Sequence, residues 1–131
     1  MLNLEPICAR YGHCMINKVE SLQDQENTIT KALGVLSENG LYAMCIFLLS
    51  CHKKDYGNQV LTEHLRGLWQ EDGIEIIPRE LESDPGRILH AVQKVSEELP
   101  KLILARKVTE QALIFARYHA KAGVPSIPKE G

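Results

Sequence analysis

The residues of this sequence best suited to chemistry are cysteines and histidines, which occur in two groups. The groups are Cys8, His13 and Cys14, and further along the chain Cys45, Cys51 and His52. In each group the two cysteines are six residues apart, a spacing that turns helical side chains about 240° away from each other. Zinc ligands are more commonly about two to four residues apart. We therefore predict no metal site and free thiols that pack as small apolar side chains.

Motifs of other catalytic classes are absent from the sequence. There is no glycine-rich phosphate loop, no HExxH, no GxSxG and no Glu-x-x-His pair of a di-iron bundle. His64 lies among leucines of a predicted helix, which favours a core or interface histidine over a general base. Asp84 precedes Pro85, a pattern typical of a helix N-cap rather than of a phosphate site. We predict a protein that is not an enzyme and has no cofactor.

The composition predicts one helical domain. The chain has 131 residues, a net charge of −2 and few aromatic side chains, and its length is that of a single domain. A net acidic charge argues against a free-standing, strongly basic nucleic-acid-binding domain. The longest apolar run, Leu41 to Leu49, is nine residues, too short for the roughly 20 residues that span a membrane. The N-terminal residues lack the pattern of a signal peptide, so we expect a cytoplasmic protein.

Hydrophobic periodicity predicts an all-α fold, a compact six-helix bundle with a central apolar helix. The predicted helices cover approximately residues 4–22, 28–38, 41–51, 58–71, 85–99 and 100–122. The apolar stripe of the first helix continues through Val19 to Leu22, which predicts that Val19 faces the core. The third helix is apolar on all sides and should be buried at the centre. Gly40 is expected to end the second helix in a left-handed conformation. We predict a single domain over residues 1–122, a loop at 72–84 and a flexible tail at 123–131.

The last predicted helix has a basic side. Residues 1–99 contain nine basic and fifteen acidic side chains, whereas residues 100–131 contain six basic and two acidic ones. At about 100° per residue, four basic side chains fall opposite the apolar stripe: Arg106, Lys107, Arg117 and Lys121.

Ile103, Leu113 and Ile114 lie beside these charges and are predicted to contact a protein partner. The basic stripe could follow the phosphates of RNA, or its charges could simply be solvated. No aromatic residue is expected in the stripe, so sequence-specific readout is not predicted. Lys53 and Lys54 form a second, weaker basic spot.

Two segments resemble the small helical subunit of the type III-B (Cmr) CRISPR RNA-guided effector complex. One is Leu36-Ser-Glu-Asn-Gly-Leu41 with the apolar helix that follows it, and the other is the final helix from Leu102 to Ala122, which has a Thr-x-x-Ala-Leu run and a basic, alanine-rich end. Length and helix order also agree, over roughly residues 4–122. Both segments are degenerate hydrophobic patterns, less specific than a catalytic motif.

The resemblance implies a non-enzymatic role in antiviral defence. Such subunits stack as copies beside the repeated backbone subunit, contact the large polymerase-like subunit and help to hold guide and target RNA. It further implies that the basic positions of the last helix bind RNA, together with Lys31 ahead of the Asn39-Gly40 turn. The alternative is a generic helical adaptor that binds only protein, and a less favoured one is an enzyme with an unrecognised helical site.

Overall fold

The computed structural model describes residues 3–51 and 55–125, and in these ranges it has six helices and no strand. The helices are α1 (Glu5–Met15), α2 (Leu22–Asn39), α3 (Leu41–Ser50), α4 (residues 56–70), α5 (Pro85–Ser96) and α6 (Leu99–Ala122). Helix α4 is continuous, with α-helical ends (Tyr56–Gln59 and Arg66–Gln70) around a π-helical segment (Val60–Leu65). The prediction of an all-α bundle is confirmed.

The first helix is shorter than its apolar stripe predicts. It ends at Met15, and a loop at residues 16–21 follows. The buried side chain of Gln25 accepts a hydrogen bond from the Asn17 N–H and donates to the carbonyls of Asn17 and Glu20. Because these bonds satisfy the loop backbone, a helix is not needed there. Val19, predicted to face the core, is 89% exposed, so this part of the prediction is wrong.

Helix α2 begins six residues before the predicted start at Thr28. Ser21 caps it, since its hydroxyl accepts a hydrogen bond from the Asp24 N–H at 3.3 Å. The predicted bounds placed Ser21 in the first helix and Asp24 after its end, so this Ser-x-x-Asp cap was not predicted. The second helix is therefore 18 residues long.

Helices α2 and α3 are joined by a single residue, Gly40. Its φ of 94° is positive, as predicted, but its ψ of −177° lies outside the left-handed helical region that was expected. This backbone conformation is essentially restricted to glycine. The Gly40 N–H donates to the Leu36 carbonyl and the Gly40 carbonyl accepts from Met44. One residue thus ends one helix and begins the next.

Helix α6 organises the bundle by packing mainly against α1 and α2. Its buried side chains toward the core include Ala105, Val108, Ala112 and Ala116. These small side chains allow the backbone of α1 to approach α6 closely at Gly12. A Cβ at Gly12 would lie 2.5 Å from the Ala112 carbonyl oxygen. Contact between α1 and α6 at this point requires glycine.

Helix α3 contacts α2, α4, α5 and α6, but it is not enclosed on all sides. Leu41, Met44, Cys45 and Leu48 are buried, whereas Tyr42 is 36% and Ile46 is 42% exposed. The expectation that no face of this helix reaches solvent is therefore wrong. Its all-round apolar composition does not distinguish the covered face from the open one.

The loop at residues 72–84 is confirmed as irregular structure. It contributes Ile74, Ile76 and Ile77 to the core. The Ile76 N–H donates to the Trp69 carbonyl at 2.8 Å. Trp69 is fully buried, and its indole N–H donates to the Thr109 hydroxyl at 2.9 Å, which joins α4 to α6.

Helix α6 ends at Ala122, followed by Gly123 in the left-handed conformation. The predicted flexible tail lies largely outside the described residues, which end at Pro125. His52, Lys53 and Lys54 also lie outside them.

Candidate functional site: the outer face of the last helix

The side of α6 opposite its fully buried side chains carries most of the residues predicted to bind a partner. We call it the α6 outer face; it consists of Ile103, Arg106, Lys107, Glu110, Gln111, Ile114, Arg117, Tyr118 and Lys121. Four of these residues are basic and one is acidic, so the face has a formal charge of +3 (4 − 1) on a chain whose net charge is −2. The structure thus places a basic surface on an acidic protein.

Arg106 has a structural partner that the sequence did not indicate. Its guanidinium donates to the main-chain carbonyl of Leu36 at 3.1 Å, near the end of α2. A cation at a helix C-terminus stabilises the carbonyls that lack helical partners. Arg106 is exposed, so it can still contribute charge to the face, but its position is tied to α2.

Arg117 lies three turns after Arg106, at nearly the same angle around the helix axis, and is half-buried. Its Nε atom is buried and has no hydrogen-bond partner within the described part of the chain. Buried N–H groups are normally paired. This guanidinium therefore keeps an unused donor at the edge of the α6 outer face.

Lys107 and Lys121 are the exposed lysines of the face. They are 14 positions apart, or about 21 Å along a helix. No ion pair occupies either side chain in residues 3–51 and 55–125. These two lysines are the positive charges most available to a ligand.

Lys31 is exposed on α2 but belongs to a different region. Its charge acts on the Cys51 thiol, just after α3, where it partly opposes the increase in pKa caused by burial. No hydrogen bond or ion pair joins Lys31 to α6 in the described segments. It is the one predicted RNA-binding residue that does not lie on α6.

The three predicted interface residues have different environments. Ile103 is 59% exposed and Ile114 is half-buried, as an interface would allow. Leu113 is fully buried, so its assignment to an exposed interface is wrong. It lies seven residues, or about two turns, after Arg106, at the edge of α6 where the outer face meets the core.

Tyr118 is the residue of this face that the sequence interpretation missed. It is 65% exposed, although no aromatic residue was expected in the basic stripe. The signal was available: Tyr118 follows Ile114 by four residues and precedes Lys121 by three, spacings that place all three on one helix face. The basic stripe therefore includes one aromatic ring.

Cysteine positions agree only partly with the prediction of buried thiols. Cys8 and Cys45 are buried, Cys51 is partly buried, and Cys14 is exposed. Burial raises the pKa of Cys45 to about 12, so this thiol stays protonated at neutral pH. Within the described residues, no group of three or more His, Cys, Asp or Glu side chains could hold a metal ion.

His64 and Asp84 were the two other residues considered for chemistry from the sequence. Burial lowers the pKa of His64, with Glu63 acting in the opposite direction. Asp84 caps α5, accepting from the Arg87 N–H at 2.9 Å, which confirms the predicted capping role.

Two histidines stack between α1 and α6. The rings of His13 and His119 have centroids 4.0 Å apart and are inclined by 13°. The pKa of His119 is lowered, first by burial and second by the nearby His13. The His13 Nε2 atom is buried without a hydrogen-bond partner among the described residues. The His119 imidazole therefore favours the neutral state at the helix contact.

Comparison with protein-family models, curated proteins and solved structures found no match to this chain. None of the helices in the described ranges has the length and apolar character needed to cross a bilayer.

Proposed function

We propose that this protein is a non-catalytic small subunit of a type III-B CRISPR ribonucleoprotein effector, and that its α6 outer face contacts RNA. The observation that carries the proposal is the distribution of Lys107, Arg117, Tyr118 and Lys121 over one exposed helix face. Cations neutralise backbone phosphates without reading bases, and an exposed aromatic ring can stack on an unpaired base. The resemblance of the α2–α3 junction and of the last helix to that subunit supports the same assignment.

In this proposal the protein acts in the cytoplasm through many weak contacts. Its partners would be copies of itself, the repeated backbone subunit, the large polymerase-like subunit, and guide and target RNA. A face with a charge of +3 on an acidic chain favours RNA binding that becomes strong only when several copies lie along one strand.

The test measures target-RNA binding by the reconstituted effector as a function of salt. The variant Lys107→Glu plus Lys121→Glu removes two exposed cations that have no ion-pair partner among the described residues, without disturbing the Arg106 hydrogen bond. We expect assembly to be unchanged and RNA affinity to fall about tenfold or more. The slope of log K against log salt should become shallower by about 0.7 for each phosphate that is no longer neutralised. Equal RNA affinity of the two complexes, with the variant fully incorporated, would refute the RNA-contact proposal.

The second candidate function is an adaptor that binds only protein. It is favoured by Ile103 and Tyr118, which are 59% and 65% exposed, since exposed apolar and aromatic side chains suit protein interfaces. The variant Ile103→Ser plus Tyr118→Ser distinguishes the two. Loss of assembly in this variant, combined with unchanged RNA binding in the lysine variant, would establish the adaptor.

A further inference from the structure

A second surface, separate from the α6 outer face, is a groove of about 580 Å³ between α5 and the loop at residues 76–81. We call it the α5 groove. Its apolar lining consists of Ile76, Ile77, Pro78, Leu81, Ala91 and Val95. Ile76, Ile77 and Val95 are buried, so they form the floor. Among the described residues, no Phe, Tyr or Trp side chain lines the groove.

One border of the groove is a row of basic side chains on α5. Arg87, His90 and Lys94 are exposed, and their spacing of three and four residues places them along one helix face over about 10 Å. The guanidinium of Arg87 and the ammonium of Lys94 have no ion-pair partner in the described segments. They are therefore available to carboxylates of a ligand.

The acidic groups that line the groove are already occupied. Asp84 accepts the Arg87 main-chain N–H as the α5 cap, and the Glu98 carboxylate pairs with Lys101 at 3.5 Å. The Asp84 carboxylate keeps its charge, but three lining cations (Arg87, Lys94 and Lys101) outnumber the two lining carboxylates, so the border is net basic.

The loop wall of the groove is held in shape by α4. The side-chain amide of Gln70 donates to the carbonyls of Pro78 and Leu81 at 2.9 and 3.0 Å. The Arg66 guanidinium also donates to Leu81, at 3.2 Å. A wall fixed in advance reduces the ordering cost of binding.

We propose that the α5 groove binds an acidic, amphipathic peptide segment of a partner protein. Apolar side chains of the segment would lie on the Ile76–Ile77 floor, and its carboxylates would face the Arg87–Lys94 row. Arg87 and Lys94, two turns or about 10 Å apart along α5, match carboxylates two turns apart on a helix better than they match a compact anion. An aliphatic floor without aromatic rings gives no stacking platform for nucleic-acid bases. The proposal does not depend on RNA contact by α6.

The test uses the full chain and a synthetic amphipathic peptide about as long as α5, with leucines on one face and glutamates bordering it. Binding is followed by fluorescence anisotropy and by methyl NMR of isoleucine-labelled protein. We expect saturable binding that shifts the Ile76 and Ile77 methyl signals and leaves those of Ile103 and Ile114 unchanged. The variant Arg87→Glu plus Lys94→Glu should weaken binding about tenfold at roughly 0.15 M salt.

The matched control is Lys107→Glu plus Lys121→Glu, which changes the net charge by the same amount on the other surface. It should bind the acidic peptide nearly as well as the wild type, while the groove variant should retain RNA binding in the effector. Equal loss of peptide binding in both variants would overturn the proposal, because the attraction would then be non-specific. Three further results would do the same: equal binding of a peptide with lysine in place of glutamate, no saturable binding, or a loss of RNA binding in the groove variant.

Discussion

The guanidinium of Arg106 donates a hydrogen bond to the main-chain carbonyl of Leu36, 70 residues earlier in the chain, at 3.1 Å. The same carbonyl accepts from the Gly40 N–H, so Arg106 supports the point where α2 ends. A basic residue of the candidate RNA-binding face is thus also part of the fold, which separates it from its neighbour Lys107.

Replacing Arg106 with alanine should therefore reduce stability. We expect the free energy of unfolding to fall by about 1–2 kcal/mol, because the variant lacks a charge-assisted hydrogen bond at a helix C-terminus. Urea denaturation followed by circular dichroism measures this. Lys107→Ala is the control and should change stability by less than about 0.5 kcal/mol. Equal stabilities of the two variants would contradict the Arg106–Leu36 contact.

Gly40→Ala should destabilise the protein through backbone strain alone. A Cβ at Gly40 would meet no atom within 4 Å, but the φ of 94° is unfavourable for any other residue. We expect a loss of about 1–3 kcal/mol. Gly34→Ala in α2 also meets open space but should stabilise by up to about 1 kcal/mol, because its helical conformation suits alanine. A stability loss in Gly34→Ala as large as that in Gly40→Ala would rule out this explanation.

Gly12→Ala should destabilise by a different mechanism, the separation of α1 from α6. The added methyl would lie 2.5 Å from the Ala112 carbonyl oxygen and 2.8 Å from the Phe115 Cβ. We expect a cost of about 1–3 kcal/mol, typical of overpacking. A thermal melt compared with that of Gly34→Ala measures it, and an unchanged melting temperature would show that the helices are farther apart.

Two partly buried histidines, His64 and His119, should make the protein less stable in mild acid. The pKa of His119 is lowered by burial and by His13, and burial lowers that of His64. The unfolded chain, whose histidines titrate near about 6.5, therefore binds more protons than the folded one. Stability is then full above that pH and falls as the pH decreases through the lower folded-state pKa values.

Urea denaturation at a series of pH values between about 8 and 5 checks this dependence. The variant His119→Gln should flatten the decrease, because it removes one proton that the unfolded chain takes up. His90→Gln, on the exposed side of α5, provides the comparison. If His119→Gln retained the full wild-type decrease, the stack would not contribute to acid sensitivity.

The sequence predicted the helical elements well where their ends carry local signals. Asp84 before Pro85 marked the start of α5, and Gly40 marked the α2–α3 junction, because both signals act within a few residues. The end of α1 was missed since the bonds from Gln25 to Asn17 and Glu20 connect residues of different elements. Continuation of the apolar stripe to Val19 was misleading without knowledge of those bonds.

The candidate site was predictable only as one side of one helix. Periodicity separates the core side of α6 from the basic side, but it does not show which neighbouring helix covers the border between them. That border determines that Leu113 is buried and that Tyr118 is exposed. The α5 groove was not predicted, because its floor comes from an irregular loop whose course depends on the Gln70 and Arg66 hydrogen bonds.

Trp69 gives the protein an intrinsic optical probe. It is the single tryptophan of the sequence, fully buried and hydrogen-bonded to Thr109. Neither the α6 outer face nor the α5 groove includes this indole, so ligands at those surfaces should leave its emission wavelength unchanged. A red shift during a titration would instead report separation of α4 from α6, which lets unlabelled protein distinguish surface binding from opening of the core.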